Sequence, residues 1–97
     1  MKAWTFLTNH GHTLLYIALD PTVRLKDVAN AVGITERATQ RIVSDLIKGG
    51  YLSVVKEGRR NRYRVNPARH LRHPVEKRNQ IGQLLKLIDG RQNKNLP

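Results

Sequence analysis

Apolar residues recur along this chain at two different periods, and the change from one to the other divides it. Leu25, Val28, Ala29 and Val32 fall at i, i+3, i+4 and i+7, the spacing that lines one face of an α-helix. Gly33 follows, a residue that readily takes the left-handed conformation ending a helix. Thr35 then reads as the N-cap of a second helix, with Glu36 favourably placed against the helix dipole. That helix is expected to run to Lys48, to pack through Ala38, Ile42, Val43, Leu46 and Ile47, and to stop at Gly49-Gly50. From Leu52 the period drops to two. Leu52 and Val54 alternate with Ser53 and Val55, and Tyr63 and Val65 with Arg62 and Arg64, which predicts a hairpin with Glu57-Gly58-Arg59-Arg60 at its tip. Asn66-Pro67 closes it.

The flanks are simpler. Asn9 reads as the N-cap of a helix that carries Leu14, Leu15, Ala18 and Leu19 and ends at Asp20-Pro21, with a short extended link over Thr22–Arg24. Before it, Trp4, Phe6 and Leu7 make residues 1–8 an apolar arm, expected to pack on the body or on a partner subunit. After the hairpin, residues 67–73 read as an Arg- and His-rich linker. Pro74 suits the first position of a helix over 74–90, with Ile81, Leu84, Leu85 and Ile88 on one face and Gly90 as its cap. The tail, 91–97, is expected to be disordered. No repeat or low-complexity segment interrupts this plan, and 97 residues make one domain, here 9–66, with added terminal elements.

The second helix of the central pair has two faces. Opposite its apolar residues, Arg37, Gln40, Arg41, Ser44 and Lys48 fall within about 60° of one line along the helix at ~100° per residue. A charged stripe is ordinarily just a solvated face. Here a glycine turn precedes it and a basic hairpin follows, and such a helix can pack with one side and enter a DNA groove with the other.

Charge strengthens that reading. Eighteen Lys and Arg against seven Asp and Glu leave +11, and nine of the cations crowd between Lys56 and Arg78. Clustering of this kind points to a polyanion. A membrane surface would call for an amphipathic helix with aromatic residues on its apolar face, and Trp, Tyr and Phe together number five. The longest apolar run, Leu14–Leu19, falls far short of the ~20 residues that span a bilayer and is too short for a signal peptide. Without cysteine, disulfides and thiolate zinc sites are excluded, and a reducing cytoplasm fits.

Catalysis has little support. There is no Ser/His/Asp or Cys/His set and no phosphate-cradling glycine motif, and the seven acids are too scattered for a nuclease metal site. A chain of this size also buries only about 60–65% of its unfolded surface, so a large enclosed site would compete with the core. The pairs His10/His12 and His70/His73 lack acidic or thiol support for a metal. The expectation is a protein that is not an enzyme, needs no cofactor and holds no metal. Tyr63 shares its strand face with Val65, which favours core packing over base stacking.

Helix, short extended link, helix, glycine turn, helix and basic hairpin is the order of a winged helix-turn-helix. Val28–Tyr63 resembles the MarR- and ArsR-type transcriptional regulators of bacteria and archaea, through Ala29, Gly33, Ile34, Ile42, the run Gly49-Gly50-Tyr51-Leu52 and the run Arg60-Asn61-Arg62-Tyr63. Thr39, where that family often has an apolar residue, is a mild departure. The resemblance implies an α+β, mainly α fold: a three-helix core, a two-stranded wing and, here, a C-terminal helix. It implies double-stranded DNA as partner, with Arg37, Gln40, Arg41, Ser44 and Lys48 of the recognition helix in the major groove. Thr35 would then meet a phosphate, and Arg59, Arg60 and Arg62 of the wing would meet flanking DNA. Ile81, Leu84, Leu85 and Ile88 can dock on their own body or, the favoured reading, at the seam of a homodimer. A nucleoid-associated, cytoplasmic transcriptional regulator is the first expectation. The alternatives are an architectural protein with little sequence preference and a winged-helix protein-interaction module. No effector is legible.

Overall fold

The computed structural model describes residues 3–88; the Gly90 cap and the 91–97 tail expected above lie outside the described residues. The order is α1 (Asn9–Leu19), α2 (Leu25–Val32), α3 (Glu36–Lys48), β1 (Leu52–Glu57), β2 (Arg60–Val65) and α4 (Ile81–Leu85). The three long helices pack together, and the antiparallel β1–β2 hairpin leans on them through its base.

Each boundary has a local cause. Thr8, rather than Asn9, caps α1: its hydroxyl accepts the Gly11 N–H at 3.3 Å. This choice lets Leu7 fold over Gly11, where an added Cβ would come within 3.2 Å of the Leu7 Cβ. Pro21 follows the end of α1, and Asp20 before it is extended, as residues preceding proline tend to be. Gly33 ends α2 at φ 88°, with its N–H and that of Ile34 both on the Ala29 carbonyl at 2.8 and 3.0 Å. Thr35 caps α3 by accepting the Ala38 N–H at 3.0 Å. At its other end Gly50, at φ 82°, closes a Schellman turn, with Tyr51 N–H on the Leu46 carbonyl at 2.9 Å and Gly50 N–H on that of Ile47 at 3.0 Å.

The core runs through Leu14 and Ile17 of α1, Val28 of α2, Ile42, Val43 and Leu46 of α3, and Tyr51, Leu52 and Tyr63 at the hairpin base. One expected packing residue is displaced. Ile47 is 38% exposed, and Thr39 takes a place on the buried face instead. At 100° per residue Ile47 stands about 80° from Thr39, beyond the edge of the buried stripe. The Thr39 hydroxyl donates to the Thr35 carbonyl at 3.0 Å, so its polar atom is satisfied inside the helix.

The C-terminal segment departs furthest from expectation. A linker over 67–73 and a helix over 74–90 were expected; among the described residues the α-helix forms only as Ile81–Leu85, running on as a 3₁₀ turn over 86–88, and residues 71–80 fold into turns and a bridge between His70 and Gln80. Local side chains compete with helical bonding there: His73 N–H goes to Glu76 Oε2 at 3.2 Å and Val75 N–H to His73 Nδ1 at 3.1 Å. Val75, the one large apolar residue between Arg72 and Gln80, is exposed, so no buried face rewards a helix. Instead the segment is tied back, with Leu71 N–H on Asn79, Ile81 N–H on Arg69 and Gly82 N–H on Pro67. Ile81, expected to meet a partner, is 3% exposed in the core of its own chain, and Leu84 and Leu85 pack against that core.

Two stability predictions follow from this packing. The Thr13 hydroxyl is buried with no hydrogen-bond partner among the described residues. Thr13→Val should therefore stabilise the fold by about 1 kcal/mol, raising Tm by roughly 4–8 °C; a lower Tm in a thermal melt would mean that the hydroxyl has a partner. Separately, His10 Nε2 donates to Asp45 Oδ2 at 2.9 Å, joining α1 to α3. This hydrogen bond is the main cause of a lowered Asp45 pKa, opposed by some desolvation and aided by the charges of His10, Lys48 and Arg41. The folded carboxylate thus stays ionised below its ordinary value of 3.8. Its contribution is present above that pH and lost as pH falls through the lowered value. The stability gap between the unmutated chain and Asp45→Asn should close as denaturant melts are taken into that acid range, and a gap constant with pH would dismiss the tie.

Candidate nucleic-acid interface

The buried stripe of α3 determines what its other side presents. With Thr39, Ile42, Val43 and Leu46 held in the core, Arg37, Gln40, Arg41 and Lys48 stand exposed on the opposite side, and Ser44 is half-buried among them. Thr35 is exposed at the head of the helix. Its hydroxyl oxygen is taken by the Ala38 N–H, which leaves the hydroxyl proton free to donate. Thr35, Arg37, Ala38, Gln40 and Arg41 line a shallow open concavity. Arginine offers a planar fork of donors and glutamine an amide N–H beside a carbonyl acceptor, the functional groups that pair with guanine and adenine edges.

Asp45 went unnoticed in the sequence pattern. It flanks the stripe, four residues from Arg41 and three from Lys48, and its lowered pKa keeps it charged beside them. The hydrogen bond from His10 engages that carboxylate toward α1. Only this cross-helix pairing, which no local signal reveals, distinguishes Asp45 from an ordinary surface acid.

In the hairpin, Leu52 pairs with Val65, Val54 with Tyr63, Val55 with Arg62 and Glu57 with Arg60 around the Gly58-Arg59 turn. Leu52 and Tyr63 are buried at the base, and everything from Ser53 to Arg62 is exposed. The expected wing residues Arg59, Arg60 and Arg62 therefore all reach solvent. Arg62 is already engaged: its Nε donates to both Glu57 carboxylate oxygens, at 3.1 and 3.2 Å. Arg64 was not among the expected contacts, yet it is exposed on the same face as Arg60 and Arg62. Strand alternation could have found it.

Three of the four histidines have other engagements. Besides His10, His70 Nδ1 pairs with the Lys77 carbonyl at 2.8 Å, and His73 Nδ1 accepts from Val75. Among the described residues no group of three or more His, Asp or Glu could hold a metal ion. No described helix is long and apolar enough to cross a membrane. Trp4 and Phe6 of the arm meet edge to face at 4.8 Å and are 76% and 91% exposed. Phe6 stands at one side of an open groove of about 930 Å³ that reaches Leu71, Ile81 and Leu84.

Among solved structures, the chain is similar to the PcaV transcriptional regulator from Streptomyces coelicolor, determined in complex with its natural ligand. The TM-score is 0.57 at 18% identity, over 94% of this chain and 63% of that one. It is also similar to a MarR family transcription regulator, with a TM-score of 0.54 at 16% identity, over 94% of this chain and 55% of that one. This chain thus spans less than two thirds of either protein. No family model and no curated protein matches it by sequence. Identities this low speak for the fold alone: the chain has the winged helix-turn-helix fold of MarR-type regulators, α+β and mainly helical, with α2 and α3 as the helix pair and β1–β2 as the wing.

Proposed function

We propose that this chain binds double-stranded DNA as a transcriptional regulator, with α3 in the major groove and the wing on flanking DNA. The observation that carries this reading is the division of α3. One face is locked into the core, and the other is a rigid row of Arg37, Gln40, Arg41, Ser44 and Lys48. Arg37 and Arg41 would read guanine and Gln40 adenine. Thr35 and the amides of the helix start would hold a phosphate. Arg59, Arg60 and Arg62 would grip flanking backbone. Support comes also from the two similar structures, both of transcriptional regulators. On this reading the protein works in the cytoplasm at the nucleoid.

An architectural role, coating duplex with little sequence preference, is favoured by one feature, the wing's charge of five cations to one acid. The two readings differ in the ratio of specific to non-specific affinity. Selection of bound sequences from a random DNA pool separates them: a sharp inverted repeat supports the regulator, and a flat profile supports the architectural protein.

The homodimer belongs to the same proposal, with a changed seam. Ile81 packs at home, so Leu84, Leu85 and Ile88, half-buried, together with the 65% exposed Leu87, are what a second copy would cover. A two-fold pair implies half-sites about one helical turn, ~34–36 Å, apart or a multiple of it.

Three outcomes are expected. Affinity for duplex should fall by orders of magnitude between ~50 and ~200 mM salt, and a flat titration would defeat the nucleic-acid reading. Arg41→Ala should cost about 1–3 kcal/mol on the selected site and relax base preference there, whereas Arg59→Ala should weaken all duplexes evenly; an unchanged ranking of sites in Arg41→Ala would refute the role given to α3. Sedimentation should show a dimer at tens of micromolar that Leu87→Glu with Ile88→Glu converts to a folded monomer. A monomeric unmutated chain would rule out the seam and leave the helix assignment standing.

A further inference from the structure

The register of the hairpin sorts its side chains onto two faces. Pairs share a face, so Leu52 with Val65 and Val54 with Tyr63 lie on the side of the core. Ser53 with Arg64, Val55 with Arg62 and Glu57 with Arg60 lie on the outer side. The outer side therefore carries Arg60, Arg62 and Arg64 in one row along β2, all exposed. Alternate residues of a strand stand about 6.6–6.8 Å apart, close to the step between successive phosphates of one nucleic-acid strand. Across from the arginines, Ser53 offers a hydroxyl and Val55, 64% exposed, an apolar contact for sugar. Arginine's fork matches phosphate oxygens two at a time.

One acid interrupts the row. Glu57 is the only carboxylate between Leu52 and Val65, against five cations, Lys56, Arg59, Arg60, Arg62 and Arg64. Its two oxygens hold Arg62 Nε at 3.1 and 3.2 Å, while Arg60 and Arg64 have no ion pair among the described residues. Both partners of the pair are more than half exposed, so water screens it and the arginine can exchange partners. Even then the carboxylate remains in the row and opposes a polyanion.

We infer that the outer face of the wing grips a single sugar–phosphate strand through Arg60, Arg62 and Arg64, and that Glu57 sets the strength of that grip by holding Arg62. This rests on the duplex-binding reading above and goes beyond it. The wing lies along the backbone with a strand face, Arg64 is a contact, and an acid serves to limit non-specific affinity. An acidic protein surface would lack the regular spacing that the row presents.

The test measures binding of two unrelated labelled duplexes by fluorescence anisotropy between ~50 and ~200 mM salt, where each phosphate contact changes affinity by roughly threefold. Arg64→Gln should remove one such contact, lowering affinity and flattening the salt dependence equally on both duplexes. Glu57→Gln should do the reverse on both. Arg62→Gln should cost more in the Glu57→Gln background than in the unmutated chain. All these positions are exposed, so the folded protein is what is compared, with thermal melts as control. If Glu57→Gln binds no tighter, or Arg64→Gln alters the ranking of the two duplexes, the inference is overturned while duplex binding stands. If the unmutated chain binds neither duplex in a salt-dependent way, the duplex-binding reading falls as well.

Discussion

Tyr51 follows the glycine stop of α3, is 8% exposed, and has four parts of the chain converging on it. Its N–H closes the last turn of α3 on Leu46, and its carbonyl accepts from Asn66 at the end of the hairpin. Its hydroxyl donates to the His70 carbonyl at 2.8 Å, and the Arg69 guanidinium sits 5.8 Å from its ring centre. A buried tyrosine needs a partner for its hydroxyl, and this one finds it in the segment that returns to α4. The angle at which the wing leaves α3, and the place where the C-terminal segment docks, are thus set by one side chain and its own peptide groups. A second tie, Tyr63 N–H to the Pro21 carbonyl at 2.8 Å, fixes the other strand to the link between α1 and α2.

Around that anchored frame, charge is distributed unevenly. Among the described residues two acids are tied to basic side chains, Asp45 by a hydrogen bond from His10 and Glu57 by an ion pair with Arg62. Each stands beside one of the two cationic surfaces, the stripe of α3 and the wing. Exposed pairs contribute little to stability, so the excess of +11 is poorly explained as a stabilising device. Mutual repulsion of so many cations disfavours the compact state and is relieved by a polyanion. Fold and charge point the same way.

The centre of the chain was legible because local signals agree there. The i, i+3, i+4, i+7 run of α2, the left-handed Gly33, the Thr35 cap and the two-residue alternation of the hairpin each act within a few residues. The C-terminal segment was not, because its shape depends on distant partners: Ile81 N–H on Arg69, Gly82 N–H on Pro67, and Tyr51 on His70. Periodicity showed that Ile81 and Leu84 must be covered, and could not show by what. The cap of α1 lay between two adequate residues, Thr8 and Asn9, and fell to Thr8, with Leu7 lying beside Gly11. The face of α3 was readable from angular spacing alone. The engagement of Arg62 by Glu57 required the strand register, and that of Asp45 by His10 required the crossing of α1 and α3.

The two cationic surfaces differ in how they are held, and this bears on how they divide their work. Residues of α3 project from a helix capped at both ends and buried along one side, so their positions relative to one another are set to within a side-chain rotamer. Rigid mounting of this kind is what discrimination between base edges demands, since misplacement by about 1 Å loses the paired hydrogen bonds. Among the described residues the wing is buried at its base, at Leu52 and Tyr63, and its outer half stays exposed. Long arginines on such a support suit a target that is charged, repeated and tolerant of small shifts, and the sugar–phosphate backbone is all three. On the proposed reading, mounting Gln40 and the arginines of α3 on the rigid element and the densest charge on the compliant one would separate sequence discrimination from affinity.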